Sequence, residues 1–482
     1  MRLLEFDAMP RPLFFLLSAI LLIGVPPCAP AETIHLKNGR TIWAESVHGK
    51  GNQIEYSIGD NTFAIPKSLV ERIDAGGTPP ETSSGSRSTS DLPLASANSE
   101  IRVASEIYSK VIHDNGVDTD ALAVLESERD TETAAAGYFI AGRFELEHNN
   151  FTSARSYYEK ALRLRPDDVT LLSHYSATLI RMGHASDALP YAEHATRIEA
   201  KSADAWAVLG AAQYASDHVQ AARTSWKQSL TLRADPNVER ALAKADRDIA
   251  AESDYSEKES SHFTLRFEGN QTSDSFRRSL LATLESQYDD LVRTLGVAPR
   301  DGITVILYTN QTFFDVTQAP SWTGAVNDGK LRIPVNGLDS VTGDLARVLK
   351  HELAHSFVNY ISHGRCPQWL HEGIAQLVEP KSLSGRGQRL SQLFQTQQEI
   401  PFNMLEGGFM NFPAPQAVLA YDESLAAAEY IADTYGMSDL RRILQRIGEG
   451  SSTEAALRAT IHSGYGSLET DLAKFLASKY GN

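Results

Sequence analysis

Hydrophobic and polar positions change their period several times along the chain. Between residues 32 and 74 they alternate. Thr33-Ile34-His35-Leu36 runs into Asn38-Gly39, a hairpin signal, and Thr41-Ile42-Trp43-Ala44 follows. Gln53 to Ile58 alternates again, Gly59-Asp60-Asn61 turns, and Thr62 to Ile65 returns. This predicts a small all-β module, a meander of barrel-like form. Residues 75–97, AGGTPPETSSGSRSTSDLPLASA, carry too little apolar surface to order themselves and predict a flexible linker. From residue 98 to 257 the period becomes helical.

Within that stretch the chain repeats itself every 34 residues. Gly142, Ser176 and Gly210 fall in one column; Ala154, Ala188 and Ala222 in a second; Ala161, Ala195 and Ser229 in a third. Tyr158, Ala192 and Trp226 align in the same register, and Leu172 aligns with Trp206. Small residues at fixed helix positions let paired helices approach, and large ones fill the gaps between pairs. The Trp206-x2-Leu209-Gly210 segment, the central alanines and the terminal Pro166 resemble the tetratricopeptide repeat, with units at 135–168, 169–202 and 203–236. That resemblance implies an all-α solenoid with a concave surface for a peptide or protein partner. A rigid support packed on the next domain is the competing reading.

The remaining residues, 258–482, mix the two periods. Phe263-x-Leu265-x-Phe267 and Ile303 to Tyr308 read as strands, residues 274–296 as an amphipathic helix, and Gly324 to Ile333 as a hairpin around an Asp-Gly turn. A helix from Thr342 to Ile361 carries His351-Glu352-Leu353-Ala354-His355. Two histidines four residues apart on a helix lie on one face, about 40° apart, as chelation of one Zn²⁺ requires. Glu352 stands beside them, placed to take a proton from a water that Zn²⁺ would acidify toward a pKa of about 7. A helix with two solvent-facing histidines is the plain alternative. Downstream, a second helix beginning near Pro367 would turn Glu372, 17 residues after His355, back toward the first as a third, anionic ligand. Three protein ligands leave a position open, the arrangement of a catalytic zinc site.

HELAH followed by WLHEGIA resembles the gluzincin metallopeptidases, the superfamily of the aminopeptidase N-like and thermolysin-like enzymes. The resemblance implies an α+β zincin-type domain in which His351, His355 and Glu372 hold zinc and Glu352 is the general base. His371 stands where the aminopeptidases carry Asn, and its direction, roughly 100° from Glu372, marks it as no ligand. The same family carries a downstream tyrosine that stabilises the oxyanion. Tyr421 matches that context loosely, with Tyr430, nine residues on, as the rival. The aminopeptidases also use an edge strand with a Glu that binds the substrate N-terminus. Gly324-Ala325-Val326-Asn327 is the equivalent strand and has no such Glu, which favours an endopeptidase. Gln376 and Glu379 are candidates to support the ligands, and His363 and Arg365 sit in the loop between the two helices, as solvated residues or substrate contacts. The Gly-rich loop 382–387 lacks the Lys-Ser/Thr pair of a phosphate cradle.

Composition narrows the setting. The chain has 482 residues, 45 Lys+Arg and 61 Asp+Glu, and its net charge of −16 argues against nucleic acid as a partner or a polybasic hold on anionic membrane. Two cysteines exclude a Cys-rich metal site, so the metal chemistry must use His and carboxylates. Leu13 to Val25 is an apolar run of 13 residues that ends in Cys28-Ala29-Pro30-Ala31, the grammar of a signal peptide over residues 1–31 and too short to span a bilayer. Pro26-Pro27 speaks against lipidation of Cys28. The expectation is an exported protein, periplasmic or secreted, without stable membrane insertion. The expected activity is that of a zinc peptidase acting on a peptide or protein substrate, with repeats that recruit it. The rival is a noncatalytic repeat scaffold with a degenerate peptidase-like domain.

Overall fold

The computed structural model describes residues 32–36, 41–44, 46–51, 53–58, 61–67 and 70–75, then 105–481 apart from 114–115, 129, 149, 270, 319–323, 336–337, 410–411 and 413. The signal-peptide stretch, most of the linker and the turns at 37–40 and 59–60 lie outside the described residues. Two compact units divide the chain after Gly77.

The first unit holds six strands: β1 (Glu32–Leu36), β2 (Thr41–Ala44), β3 (Ser46–Lys50), β4 (Gln53–Ile58), β5 (Asn61–Pro66) and β6 (Val70–Ala75). They form two antiparallel three-stranded sheets, β2-β1-β6 and β3-β4-β5. Successive strands pair as the alternation predicts, β1 with β2 and β4 with β3 and β5, and β6 returns to pair with β1. Ile34, Ala44, Ile54 and Tyr56 make the unit's small core.

The second unit opens with α1 (Ser105–Val111), a minimal hairpin of β7 (Ile112–His113) and β8 (Gly116–Val117), and α2 (Thr119–Ser127). Six helices then pair: α3 (Thr131–Glu147) with α4 (Phe151–Leu164), α5 (Val169–Arg181) with α6 (Ala185–Ile198), and α7 (Ala203–Ala215) with α8 (Val219–Leu232); α9 (Pro236–Glu252) closes the stack. The 34-residue columns explain the pairing. A Cβ on Gly142 would stand 2.7 Å from the Tyr158 ring, and one on Gly210 would stand 2.5 Å from Trp226, so an aromatic of one helix occupies the space that glycine leaves on its partner. In the middle pair the same columns hold Ser176 and Ala192.

The C-terminal half adds β9 (Tyr255–Glu259), β10 (Phe263–Glu268), α10 (Asp274–Leu295), β11 (Ile303–Tyr308), α11 (Asn310–Thr317), β12 (Val326–Asn327) and β13 (Leu331–Pro334). The five strands form one sheet in the order β12-β13-β11-β10-β9. β10, β11 and β13 run parallel, while β9 and β12 are antiparallel edges. β9 starts inside the stretch read as helical, because Tyr255 to Glu259 gains a partner in β10 that local periodicity does not reveal. Helices follow to the end: α12 (Gly343–Ser362), α13 (Gln368–Val378), α14 (Gly387–Gln395), α15 (Ala414–Tyr435), α16 (Met437–Gly448), α17 (Thr453–Ile461) and α18 (Tyr465–Tyr480). One large core runs from β10 and α10 through α12, α13 and α15 to α18. Among the described residues no helix is long and apolar enough to cross a membrane.

One edge of the stack of paired helices is seated on the C-terminal half. The start of α4 meets it through Thr152, whose hydroxyl donates to the Gly448 carbonyl at 3.4 Å. At the next turn His184 packs on Tyr360 and His363, and Ser186 donates to Asp301 at 3.1 Å. At the third, the Asp217 carboxylate meets Arg266 and Lys330 and accepts from Thr304. α9 completes the seat with Asp248, 1% exposed, paired at 3.0 Å to Arg332, also 1% exposed. Removing one partner from so buried a pair costs about 3–5 kcal/mol.

Candidate metal centre

α12 starts where Thr342 caps it, its hydroxyl accepting from the Leu345 amide at 3.1 Å, with Asp344 in the first turn favouring the helix dipole. Leu349, Leu353, Ala354, Phe357, Val358 and Ile361 form the buried stripe that fixes its rotation. His351 and His355 then fall together, ring centroids 4.7 Å apart. The helix ends at His363, which takes a left-handed conformation (φ 50°) before Gly364 (φ 71°) turns the chain toward α13.

α13 is buried from Trp369 to Gln376. It crosses α15 at Gly373, where a Cβ would stand 2.2 Å from the Ser424 carbonyl oxygen. Only glycine permits that approach, and it carries Glu372 in toward α12. The Glu372 carboxylate lies 3.5 Å from His351 Nε2 through one oxygen and 3.9 Å from His355 Nε2 through the other. Gln368 donates to Glu372 Oε1 at 2.9 Å and fixes its rotamer from one turn earlier. These three residues are the group of potential ligands found among the described residues, each offering a donor atom within 4.8 Å of the others.

The separations fit zinc. Ligands around a tetrahedral ion with bonds near 2.0–2.1 Å stand about 3.3 Å apart, farther than hydrogen-bonded atoms and close to the spacing seen here. Two imidazoles and a carboxylate are also the donor types zinc accepts. Without an ion the cluster polarises itself. Burial pulls His351 down, but the Glu372 carboxylate outweighs it and lifts the imidazole to about 9. Burial pushes Glu372 up, yet the neighbouring histidines hold it at about 2. Burial keeps His355 well below the ordinary imidazole value.

Glu352 is raised to about 7, by burial first and by the carboxylates of Glu372 and Glu379, against the pull of His351. That is the range in which a carboxylate can both accept and return a proton. Its backbone carbonyl accepts from the Asn327 amide at 2.7 Å, and the same amide donates to Ser356 Oγ at 2.7 Å. Tyr421, on the second turn of α15, sets its ring edge on Phe409 at 5.3 Å and is 39% exposed. The charge of Glu372 is the largest influence raising its phenol, so the hydroxyl stays protonated and faces the same electrostatic field as the ligands. Tyr430 is elsewhere: 7% exposed, packed on Phe475, with its hydroxyl 3.5 Å from that of Tyr435.

The supporting residues sort out plainly. Glu379 brings a carboxylate oxygen to 3.6 Å from His351 Nδ1. Gln376 does not face the histidines; it donates to the backbone oxygens of Tyr421 (3.0 Å) and Glu372 (3.3 Å), tying α13 to α15. The His371 ring stacks on that of His355. His363 and Arg365, read as solvated or substrate-facing, are half-buried against α16. His363 Nδ1 lies 3.1 Å from the Gly448 carbonyl, and Arg365 binds the carbonyls of Ile447 and Gly450, covering the C-terminus of α16 where a cation is favoured. Asn327 and Gln368 were not singled out from the sequence; the only cue for Gln368 is its i, i+4 spacing to Glu372.

No curated protein matches the chain. Among solved structures, the NMR structure of the first TPR domain of human RPAP3 shows 18% identity, covering 24% of this chain and 92% of that one with a TM-score of 0.24. The first TPR of Spaghetti (RPAP3), bound to the HSP90 peptide SRMEEVD, shows 18% identity over 28% and 97% of the two chains with a TM-score of 0.23. The stretch that holds His351, Glu352, His355, Glu372 and Tyr421, residues 286–478, matches the Peptidase MA superfamily.

Proposed function

We propose that the protein is a zinc-dependent peptidase of the gluzincin type, exported from the cell, that cleaves within peptide or protein chains. The convergence of Glu372 on His351 and His355, from a separate helix, carries this reading. His351, His355 and Glu372 hold the ion. Zn²⁺, when bound, polarises water and the substrate carbonyl, so that hydrolysis proceeds near neutral pH. Glu352 takes the proton from the attacking water and returns it to the leaving amine, a shuttle that suits a carboxyl raised to about 7. Tyr421 donates its hydroxyl to the oxygen on which negative charge develops. Glu379 and His371 hold the two imidazoles from behind.

Internal cleavage follows from the edge strand. Val326 and Asn327 of β12 carry no carboxylate to bind a free N-terminus, and Glu379 is turned to His351. The repeats combine both roles weighed from the sequence: one edge supports the catalytic half, and the remaining surface is offered to a protein partner.

Zinc content and peptide cleavage by the purified chain, wild type beside Glu352→Gln, test the proposal. One zinc per chain in both, with cleavage reduced by about 10²–10⁴ in the variant, is the expected result. Equal cleavage by the two proteins, or no zinc in either, would overturn it.

A further inference from the structure

The hairpin that carries β12 is held from two sides. Toward the catalytic helix, Asn327 donates to the Glu352 carbonyl and to Ser356. Toward the solenoid, three charged residues of the hairpin, two in its turn and one on β13, each meet an opposite charge. Asp328 pairs with Lys244 of α9 at 2.8 Å, Lys330 with Asp217 of the α7–α8 turn at 2.5 Å, and Arg332 with Asp248 of α9 at 3.0 Å. The intervening Leu331 and Ile333 are fully buried on the other side, in the core of the sheet.

Apolar packing on this strand is slight, with Val326 set against the Ile306 and Phe313 cluster and Ala325 buried just before it. Among the described residues β12 is two residues long, pairs with β13 alone, and forms the end of the sheet. Its turn is a Gly329 at φ 99°. So short a strand takes its position from the side chains that anchor it. Arg332 is bound at both ends of its guanidinium, since Nε also meets Asp328 and Nη1 donates to Tyr308 at 2.7 Å. A buried pair of this kind fixes register rather than adding attraction.

We propose that the solenoid is a working part of the peptidase site: Asp248, Lys244 and Asp217 are positioning residues that hold the β12–β13 hairpin against the catalytic helix and so set the sheet edge on which an extended substrate pairs. This rests on the peptidase reading for its consequence, though not for its geometry. A repeat array that shifts when a partner binds would then change turnover without any contact between partner and substrate.

The test uses the full chain and two readouts that do not depend on one another. In Lys244→Ala and Asp248→Asn, amide exchange over residues 324–334 rises by about tenfold or more, while exchange in α13 and the zinc content stay at wild-type values. In the same proteins kcat falls by about tenfold with KM within about threefold, and Lys244→Arg, which keeps the charge facing Asp328, restores both. Unchanged exchange at the hairpin in the folded Lys244→Ala protein would overturn the proposal, as would faster exchange with unchanged kcat. A zinc-loaded wild type that cleaves nothing would remove the peptidase reading alone, since the exchange measurement still decides whether the solenoid holds the hairpin. Should Asp248→Asn not fold, Lys244, 33% exposed at its side chain, supplies the decisive variant.

Discussion

The imidazole of His371 lies flat on that of His355, with ring centroids 4.5 Å apart and planes 4° from parallel. Its Nε2 lies 3.1 Å from Asn359 Oδ1, so the upper ring is anchored to the helix that carries the lower one. Burial lowers His371 to about 4, which leaves it neutral and able to stack without repelling a cation beneath. His371→Ala should therefore weaken zinc affinity by about 10–100-fold, measured by competition with a chelator, while far-ultraviolet circular dichroism stays unchanged. Wild-type affinity in that variant would mean the stack is incidental.

Glu379 should act on the other ligand. Glu379→Gln removes the carboxylate 3.6 Å from His351 Nδ1 and should weaken zinc binding by about tenfold or more. The double variant with His371→Ala should lose affinity by nearly the product of the two effects, because each supports a different imidazole.

The crossing of α13 and α15 is intolerant of even one methyl group. Gly373→Ala puts a Cβ into the Ser424 carbonyl and should cost about 1–3 kcal/mol, read as a lowered denaturation midpoint. Because Glu372 adjoins the crossing, zinc affinity should fall in the same protein. A variant as stable as wild type would show that α15 gives way freely.

Stability of the metal-free protein should depend on pH with a definite sign. His351 titrates at about 9 in the folded chain against about 6.5 unfolded. Its contribution is therefore complete below pH 6.5 and is lost as pH rises through 9, with a slope approaching about 1.4 kcal/mol per pH unit. Glu372, held at about 2, works oppositely: its contribution is present above its unfolded value of about 4.3 and is lost as pH falls through 2. Thermal melts of the apo protein should thus decline from pH 6.5 to 9, and His351→Gln should flatten that decline. Zinc should reverse the alkaline trend, since the ion binds neutral imidazole.

How much of this was legible in the sequence depends on where each partner comes from. His351, Glu352 and His355 lie within one helical turn, so spacing alone places them, and Glu372 follows because a short loop can fold one helix back on another. Asn327 reaches Glu352 from a different element, and nothing local marks it. Arg365 and His363 looked solvated because loop residues usually are; their partners, the last carbonyls of α16, lie more than 80 residues away. The 34-residue period was readable from Gly142 and Gly210 against Tyr158 and Trp226, but the seat of the solenoid was not. Nothing local marks Asp217 or His184, whose counterparts Lys330 and Tyr360 lie more than 100 residues along the chain.

That seat has a consequence for the history of the chain. A free-standing solenoid lengthens or shortens by whole repeats, because each unit meets only its neighbours. Here Thr152, Ser186 and Asp217 each have a fixed counterpart at Gly448, Asp301 and Lys330, and α9 must arrive at Arg332. A repeat duplicated or deleted between α3 and α9 would carry α9 past its counterpart or leave it short. New repeats can be added only ahead of α3, so the array is free to evolve at one end and locked in number at the other.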